Sequence, residues 1–291
     1  MKLLSVNNLI LLRVHFSLFL LPVFLFAVSQ VEALDVNNTW IMFFVLHFLV
    51  YPASNGYNSY MDRDETPIGG LKNPPKGDKG LFYLTIILDI IACIISVYIG
   101  LDILFCVLAY IIASRAYSYR GIRLKKYPVI GFLTVAFFQG AFTYYMTYIS
   151  CTVFGCSPYP RPGDHTWAIW ASSLLIGGIY PMTQIYQHEA DLKDGVVTLS
   201  YKLGYIGTFV FCGVSFMVAM TCMFMHFNLR NNLNSFLIIQ VLLLPVISFF
   251  LFWFYQVWKS TSDANFENTM KMNLISSFCL NVCFLYLIVT R

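Results

Sequence analysis

Residues 81–118 read LFYLTIILDIIACIISVYIGLDILFCVLAYIIASRAYS, with Asp89, Asp102 and Arg115 as the only charges. An α-helix rises 1.5 Å per residue, so one unbroken helix of this length would overshoot a ~30 Å hydrocarbon core almost twofold. Gly100-Leu101-Asp102 supplies the break, and the stretch reads as two spans, 81–99 and 101–118. The choice decides the fold, because merging the two would reverse the side of every later loop.

Seven further apolar runs flank this pair, at 9–29, 40–57, 128–150, 167–187, 204–227, 235–257 and 271–290. Each is close to the ~20 residues that one membrane-crossing helix needs. The expectation is an all-α, polytopic membrane protein: a nine-transmembrane-helix bundle forming a single domain over 1–291. Composition agrees. Of 291 residues 58% are apolar and 11% charged, less than half the ~25% that a soluble surface carries. The net charge of +4 is small and the basic residues sit between apolar runs, so no nucleic-acid partner is expected. Lys2 and the first run resemble a signal peptide, but Arg13 inside the run argues for a retained span.

Basic residues test the count. With the amino terminus in the cytoplasm, the cytoplasmic connections hold Arg63, Lys72, Lys76, Lys79, Arg115, Arg120, Arg123, Lys125, Lys126, Lys193, Lys202, Lys259 and Lys271. The opposite side keeps Arg161, Arg230 and Arg291. This asymmetry follows the positive-inside rule in every loop and places the carboxyl terminus outside.

Six of the eight cysteines lie in apolar stretches, where Cys acts as a small hydrophobe. Cys151 and Cys156 stand five apart in a polar connection. They bridge if that loop faces an oxidising compartment and are otherwise two free thiols. His15, His47 and His226 have no second ligand at metal spacing and read as interior imidazoles. Asp89 in mid-span reads equally as a packing hydrogen bond or a site residue.

Two polar clusters end spans. The first is Asn55-Gly56-Tyr57-Asn58-Ser59-Tyr60-Met61-Asp62-Arg63-Asp64-Glu65. Asn55, Asn58 and Asp62 fall at i, i+3 and i+7, one face of a helix. The second is Gln184-Ile185-Tyr186-Gln187-His188-Glu189-Ala190-Asp191-Leu192-Lys193-Asp194, with Gln184, Gln187, Asp191 and Asp194 predicted on one face. The charge-derived topology puts both on the same membrane side. Two acidic helix ends there suit two Mg²⁺ ions across a diphosphate. The basic connection Tyr117-Ser118-Tyr119-Arg120-Gly121-Ile122-Arg123-Leu124-Lys125-Lys126 supplies cations and hydroxyls for phosphate oxygens. A hydrated helix end is the plainer reading of the first cluster, and three acids within four residues directly after two asparagines speak against it.

At these residues the sequence resembles the UbiA superfamily of intramembrane prenyltransferases, which have nine transmembrane helices and two aspartate-rich motifs. Asn58, Asp62 and Asp64 match the first motif, with Thr66 where a further acid often stands. Lys72, Pro74 and Pro75 look like its Lys-Pro element at shifted spacing, and Tyr117-Ser118 with Ile122-Arg123-Leu124-Lys125 is similar to a segment of several members. In the second motif Asp191 takes the later acid's place and Gln187 the earlier one's. Thr198-Leu199 and Leu203-Gly204 match its tail.

The resemblance implies Mg²⁺-dependent transfer of a prenyl group from an isoprenyl diphosphate to a lipophilic or aromatic acceptor within the membrane lipid, in a bacterial cell membrane. It implies Asp62 and Asp191 as catalytic residues. The cation ligands would come from Asn58, Asp62, Asp64, Gln187, Asp191 and Asp194, with Asp194 or Glu189 compensating for the amide. Diphosphate contacts would come from Tyr117, Ser118, Arg123, Lys125 and Lys72. A non-catalytic lipid-binding or transport protein is the alternative. Transporters carry their polar sites near the midplane, whereas here the acids gather at helix ends.

Overall fold

The computed structural model describes residues 3–153 and 165–290, so Cys156 and the 156–164 connection lie outside the described residues. Within them there are helices, turns and two isolated bridges, and no strands. The order is α1 (Val6–Leu11), a 3₁₀ turn Val14–Phe19, α2 (Leu21–Ser29), α3 (Val36–Phe44), a π turn Val45–Val50 and α4 (Tyr51–Asp62). Next come α5 (Lys79–Ile99), α6 (Leu101–Ser118), α7 (Pro128–Ala136), a π turn Phe137–Phe142, α8 (Thr143–Cys151) and α9 (Thr166–Thr183). The chain closes with α10 (His188–Lys193), α11 (Leu199–Leu229), α12 (Leu233–Leu242), α13 (Leu244–Lys259) and α14 (Phe266–Val289).

The 81–118 stretch does split, with Gly100 between α5 and α6. The π turns keep α3 with α4, and α7 with α8, as continuous spans over Val36–Asp62 and Pro128–Cys151. The first run bends by 42° between Val6–Phe19 and Leu21–Ser29, and the eighth by 44° between α12 and α13. Pro22 and Pro245 stand just past these bends, at helix starts where a missing N–H is tolerated. Among the described residues, six helices are long and apolar enough to cross a membrane, and eight if each bent pair is one span. The sixth run, α9, falls outside that set. The helix ends at Thr183, two residues past Pro181 and short of the predicted 187.

α9 packs along α11 and against the π turn of Phe137–Phe142. Small residues permit this: a Cβ added to Gly140 would lie 2.4 Å from the Cα of Ser173. Close backbone approach over small residues is how helices associate without a hydrophobic driving force between them. Aromatic rings fill the centre, with Phe26 stacked on Phe284 and Phe209 on Phe254. Asp89 proves structural. Its carboxylate pairs with Arg115, which also covers the Tyr57 ring at 4.0 Å and thereby ties α5 and α6 to α4. His226 Nε2 is 2.8 Å from Gln30 Oε1 inside the bundle, whereas His15 is exposed.

Candidate active site

The two acidic segments meet at one end of the bundle. α4 ends at Asp62 because Arg63 turns into a left-handed conformation (φ 56°), which swings Asp64 back over the helix end. The α6–α7 connection folds across the same end. Arg120 donates to the Met61 carbonyl at 2.7 Å and to that of Asp62, satisfying acceptors left free at the end of α4. Arg123 (φ 51°) and Lys125 then face the acids. Lys125 Nζ lies 2.5 Å from Asp62 Oδ2, and Arg123 reaches Asp62 Oδ1 at 3.6 Å and also pairs with Asp194. Arg120 is 3.4 Å from Asp194. Arg123 therefore links the two acidic segments directly.

The second segment is not one helix face, as the sequence suggested. α9 stops at Thr183, a 3₁₀ turn covers Ile185–Gln187, and α10 restarts at His188. Gln184, Gln187 and Asp191 nevertheless line a single cavity with Asn58, Asp62 and Asp64. α10 is held by His188, whose Nε2 is 2.8 Å from Ser200 Oγ and whose ring stacks on Tyr205. Burial lowers the His188 imidazole to about 4, so it is neutral. Ser200 lies just before Gly204 (φ 67°), a left-handed break in α11 that a glycine adopts without steric penalty.

The cavity measures about 220 Å³. Asn58, Asp62, Asp64, Tyr117, Ser118, Lys125, Gln187 and Asp191 all line it. Arg123 and Asp194 join at its rim through their pairs with Asp62 and with each other. Lys72 does not join. Its ammonium pairs at 2.5 Å with Glu267 on the exposed start of α14. Ser118 and Tyr117 act on neighbouring side chains: Ser118 Oγ donates to Asn58 Oδ1 at 2.8 Å, and Tyr117 bonds the Tyr180 hydroxyl. Gln187 donates its amide to the Pro67 carbonyl at 3.1 Å, tying the second segment to the loop after the first.

Sequence reasoning missed Arg13 as a site residue, although a cation inside an apolar run is a signal for one. Arg13 is 6% exposed at the break after α1, donates to the carbonyls of Gly69 and Asn55, and lines the cavity with its Nε unpartnered. Tyr180, Gln139 and Thr183 were also missed. They form the wall shared with a second, mostly apolar cavity of about 170 Å³ between α2, α9 and α14.

The acids are unequal. Among the described residues, no Lys or Arg nitrogen lies within 4.0 Å of Asp64 or Asp191. Burial pushes the Asp191 carboxyl up to about 7, with Lys125 opposing and Asp64, Asp62 and Asp194 adding to the rise. Burial and then Asp62 push Asp64 up to about 6. Buried carboxylates short of positive charge fit a cation. No group of three His, Cys, Asp or Glu side chains among the described residues forms a complete metal cage. Mg²⁺ ordinarily takes only one or two carboxylates and fills its shell with phosphate oxygens and water.

Comparison with known proteins bears on the family and the fold. The UbiA prenyltransferase family model matches residues 17–275. A UbiA homologue from Archaeoglobus fulgidus, solved with GPP and Mg²⁺, superposes with a TM-score of 0.69 at 16% identity, covering 98% of this chain and 100% of that one. An apo UbiA homologue from Aeropyrum pernix K1 gives 0.68 at 13% identity, covering 94% and 98%. A digeranylgeranylglyceryl phosphate synthase structure gives 0.60 at 19% identity, covering 97% and 96%. Likeness at these identities is one of fold. No curated protein matches. The family model takes in most of the chain and the helices are long and apolar enough to span a membrane: the chain is an integral membrane protein that belongs to the UbiA prenyltransferase family.

Proposed function

We propose that the protein transfers a prenyl group from an isoprenyl diphosphate to a lipophilic or aromatic acceptor, with Mg²⁺ and with release of diphosphate. The observation that carries this reading is one cavity lined by Asp62, Asp64, Asp191 and Lys125 at its mouth and by aromatic side chains below. Anionic and cationic groups at one end match a metal–diphosphate head. Tyr110, Val135 and Phe138, together with the adjoining apolar cavity, offer room for an isoprenoid chain and an acceptor. The homologue from Archaeoglobus fulgidus solved with GPP and Mg²⁺ supports it. Residues 1–291 act as a single domain of nine spans, α9 included, with the amino terminus cytoplasmic and the carboxyl terminus outside.

The residues then take these roles. Asp64 and Asp191, with Asp62 and Asn58 nearby, would hold Mg²⁺, which supplies charge neutralisation to the leaving diphosphate. Lys125 and Arg123 offer cationic donors to its oxygens. Ser118 fixes the Asn58 amide. As the allylic C1–O bond breaks, its electron pair leaves with the diphosphate. The acceptor's nucleophile bonds to C1, and a carboxylate at the mouth takes the proton that the acceptor loses. Tyr110, Tyr117 and Tyr180 offer ring faces to the developing allylic cation.

Incubating membranes that contain the protein with labelled dimethylallyl and geranyl diphosphates, then identifying the labelled product, tests this. A labelled lipophilic product that disappears in the Asp191→Ala variant is expected. Label recovered only as donor would refute it.

A further inference from the structure

Two acidic segments suggest two cations, yet the side chains divide the work otherwise. Of the six candidate ligands, three already have an oxygen engaged and a fourth carries no charge. Asp62 accepts Lys125 on one oxygen at 2.5 Å and faces Arg123 with the other at 3.6 Å. Asp194 pairs with Arg123 and Arg120, and its backbone carbonyl accepts from Arg123 at 2.9 Å. Asn58 accepts from Ser118. Gln187 carries no charge, and its amide nitrogen is bonded to Pro67. Asp64 and Asp191 remain, one from each segment and both on the cavity wall. Oε1 of the buried Gln184 and Oδ1 of Asp62, which faces only the Arg123 guanidinium at 3.6 Å, are further oxygens on that wall with no hydrogen-bond partner among the described residues.

We infer that this protein binds one divalent cation with its diphosphate, between Asp64 and Asp191, and that Lys125 and Arg123 occupy the place of a second. The inference rests on the proposed function and deepens it. The physical reason is local charge. A second hard cation needs anionic oxygen, and the carboxylate nearest to providing it, Asp62, is 3% exposed and already neutralised by a lysine. Gln187 removes the other source of charge. An ammonium and a guanidinium on the α6–α7 connection give the diphosphate the positive charge it needs there, with no metal bound.

Manganese serves as the probe, because Mn²⁺ takes oxygen ligands as Mg²⁺ does and is seen by electron paramagnetic resonance. Purified full-length protein is dialysed against Mn²⁺ with geranyl S-thiolodiphosphate, a slowly ionising analogue, and both ligands are counted. One Mn²⁺ per chain with an uncoupled six-line spectrum is expected. The double variant Lys125→Met with Gln187→Asp frees one acid and adds another. It should bind two Mn²⁺ with the spin coupling of ions roughly 4 Å apart. Two coupled Mn²⁺ in the unmodified protein overturn the inference, as does bound analogue with no Mn²⁺, or a folded double variant that still binds one. Failure of the analogue itself to bind at any Mn²⁺ concentration overturns the proposed function instead.

Discussion

Raising and lowering pH should switch cation binding in a range set by Asp64 and Asp191. Burial holds the two carboxyls at about 6 and about 7, and a divalent cation binds their ionised forms. At pH 6 about one-tenth of Asp191 and one-half of Asp64 are ionised, so both are charged in about 5% of molecules. At pH 8 the joint fraction is about 90%. Affinity for free Mn²⁺, without diphosphate, should therefore fall about twentyfold from pH 8 to pH 6. The sign is fixed: a raised carboxyl is protonated at low pH, so binding is lost as pH falls through 7 and then 6. Binding must also expel protons, about 0.6 per cation at pH 7 if both groups become fully ionised. Titration calorimetry at both pH values, repeated in buffers of different ionisation enthalpy, reads both quantities. An affinity that changes less than threefold, with no proton release, would show that these two acids do not hold the cation.

Asn58→Ala, Asp62→Ala and Asp191→Ala should each lower turnover by orders of magnitude while the protein still inserts, since each loses part of the charge or oxygen set at the mouth; wild-type rates in excess Mg²⁺ for all three would refute the site. Cysteine labelling should reach positions 72–79 and 193–202 from one membrane side and 231–232 from the other, following the charge asymmetry. Labelling of the first two from opposite sides would separate the acidic segments. Gly140→Ala should destabilise by about 1–3 kcal/mol or more, because the added methyl meets the backbone of Ser173 at 2.4 Å. A thermal-unfolding midpoint equal to wild type in detergent would contradict that packing.

Most of the bundle was legible because its signals are one-dimensional. Every apolar run has a helix, and the 101–118 span matches residue for residue. The polar residues Asn55, Asn58 and Asp62 show their shared face because α4 continues unbroken to Asp62. The second segment was less legible. A periodic pattern assumes one helix, whereas α9 stops at Thr183 and a 3₁₀ turn intervenes, so Asp191 reaches the cavity from a short separate helix. Lys72 was assigned from its likeness to a Lys-Pro element at shifted spacing, and its ammonium instead pairs with Glu267. The Lys125–Asp62 and Arg123–Asp194 pairs join residues more than sixty positions apart. No local pattern announces such partners, and they decide which acids remain for a cation.

Pyrophosphate release by purified protein given geranyl diphosphate and an extract of membrane lipids tests the central claim most directly. The account predicts release that requires Mg²⁺, stops when the metal is chelated, and is lost in Asp191→Ala. Release that persists unchanged without divalent metal, or none at all when geranyl diphosphate and Mg²⁺ are shown to be bound and the lipid extract is present, would contradict it.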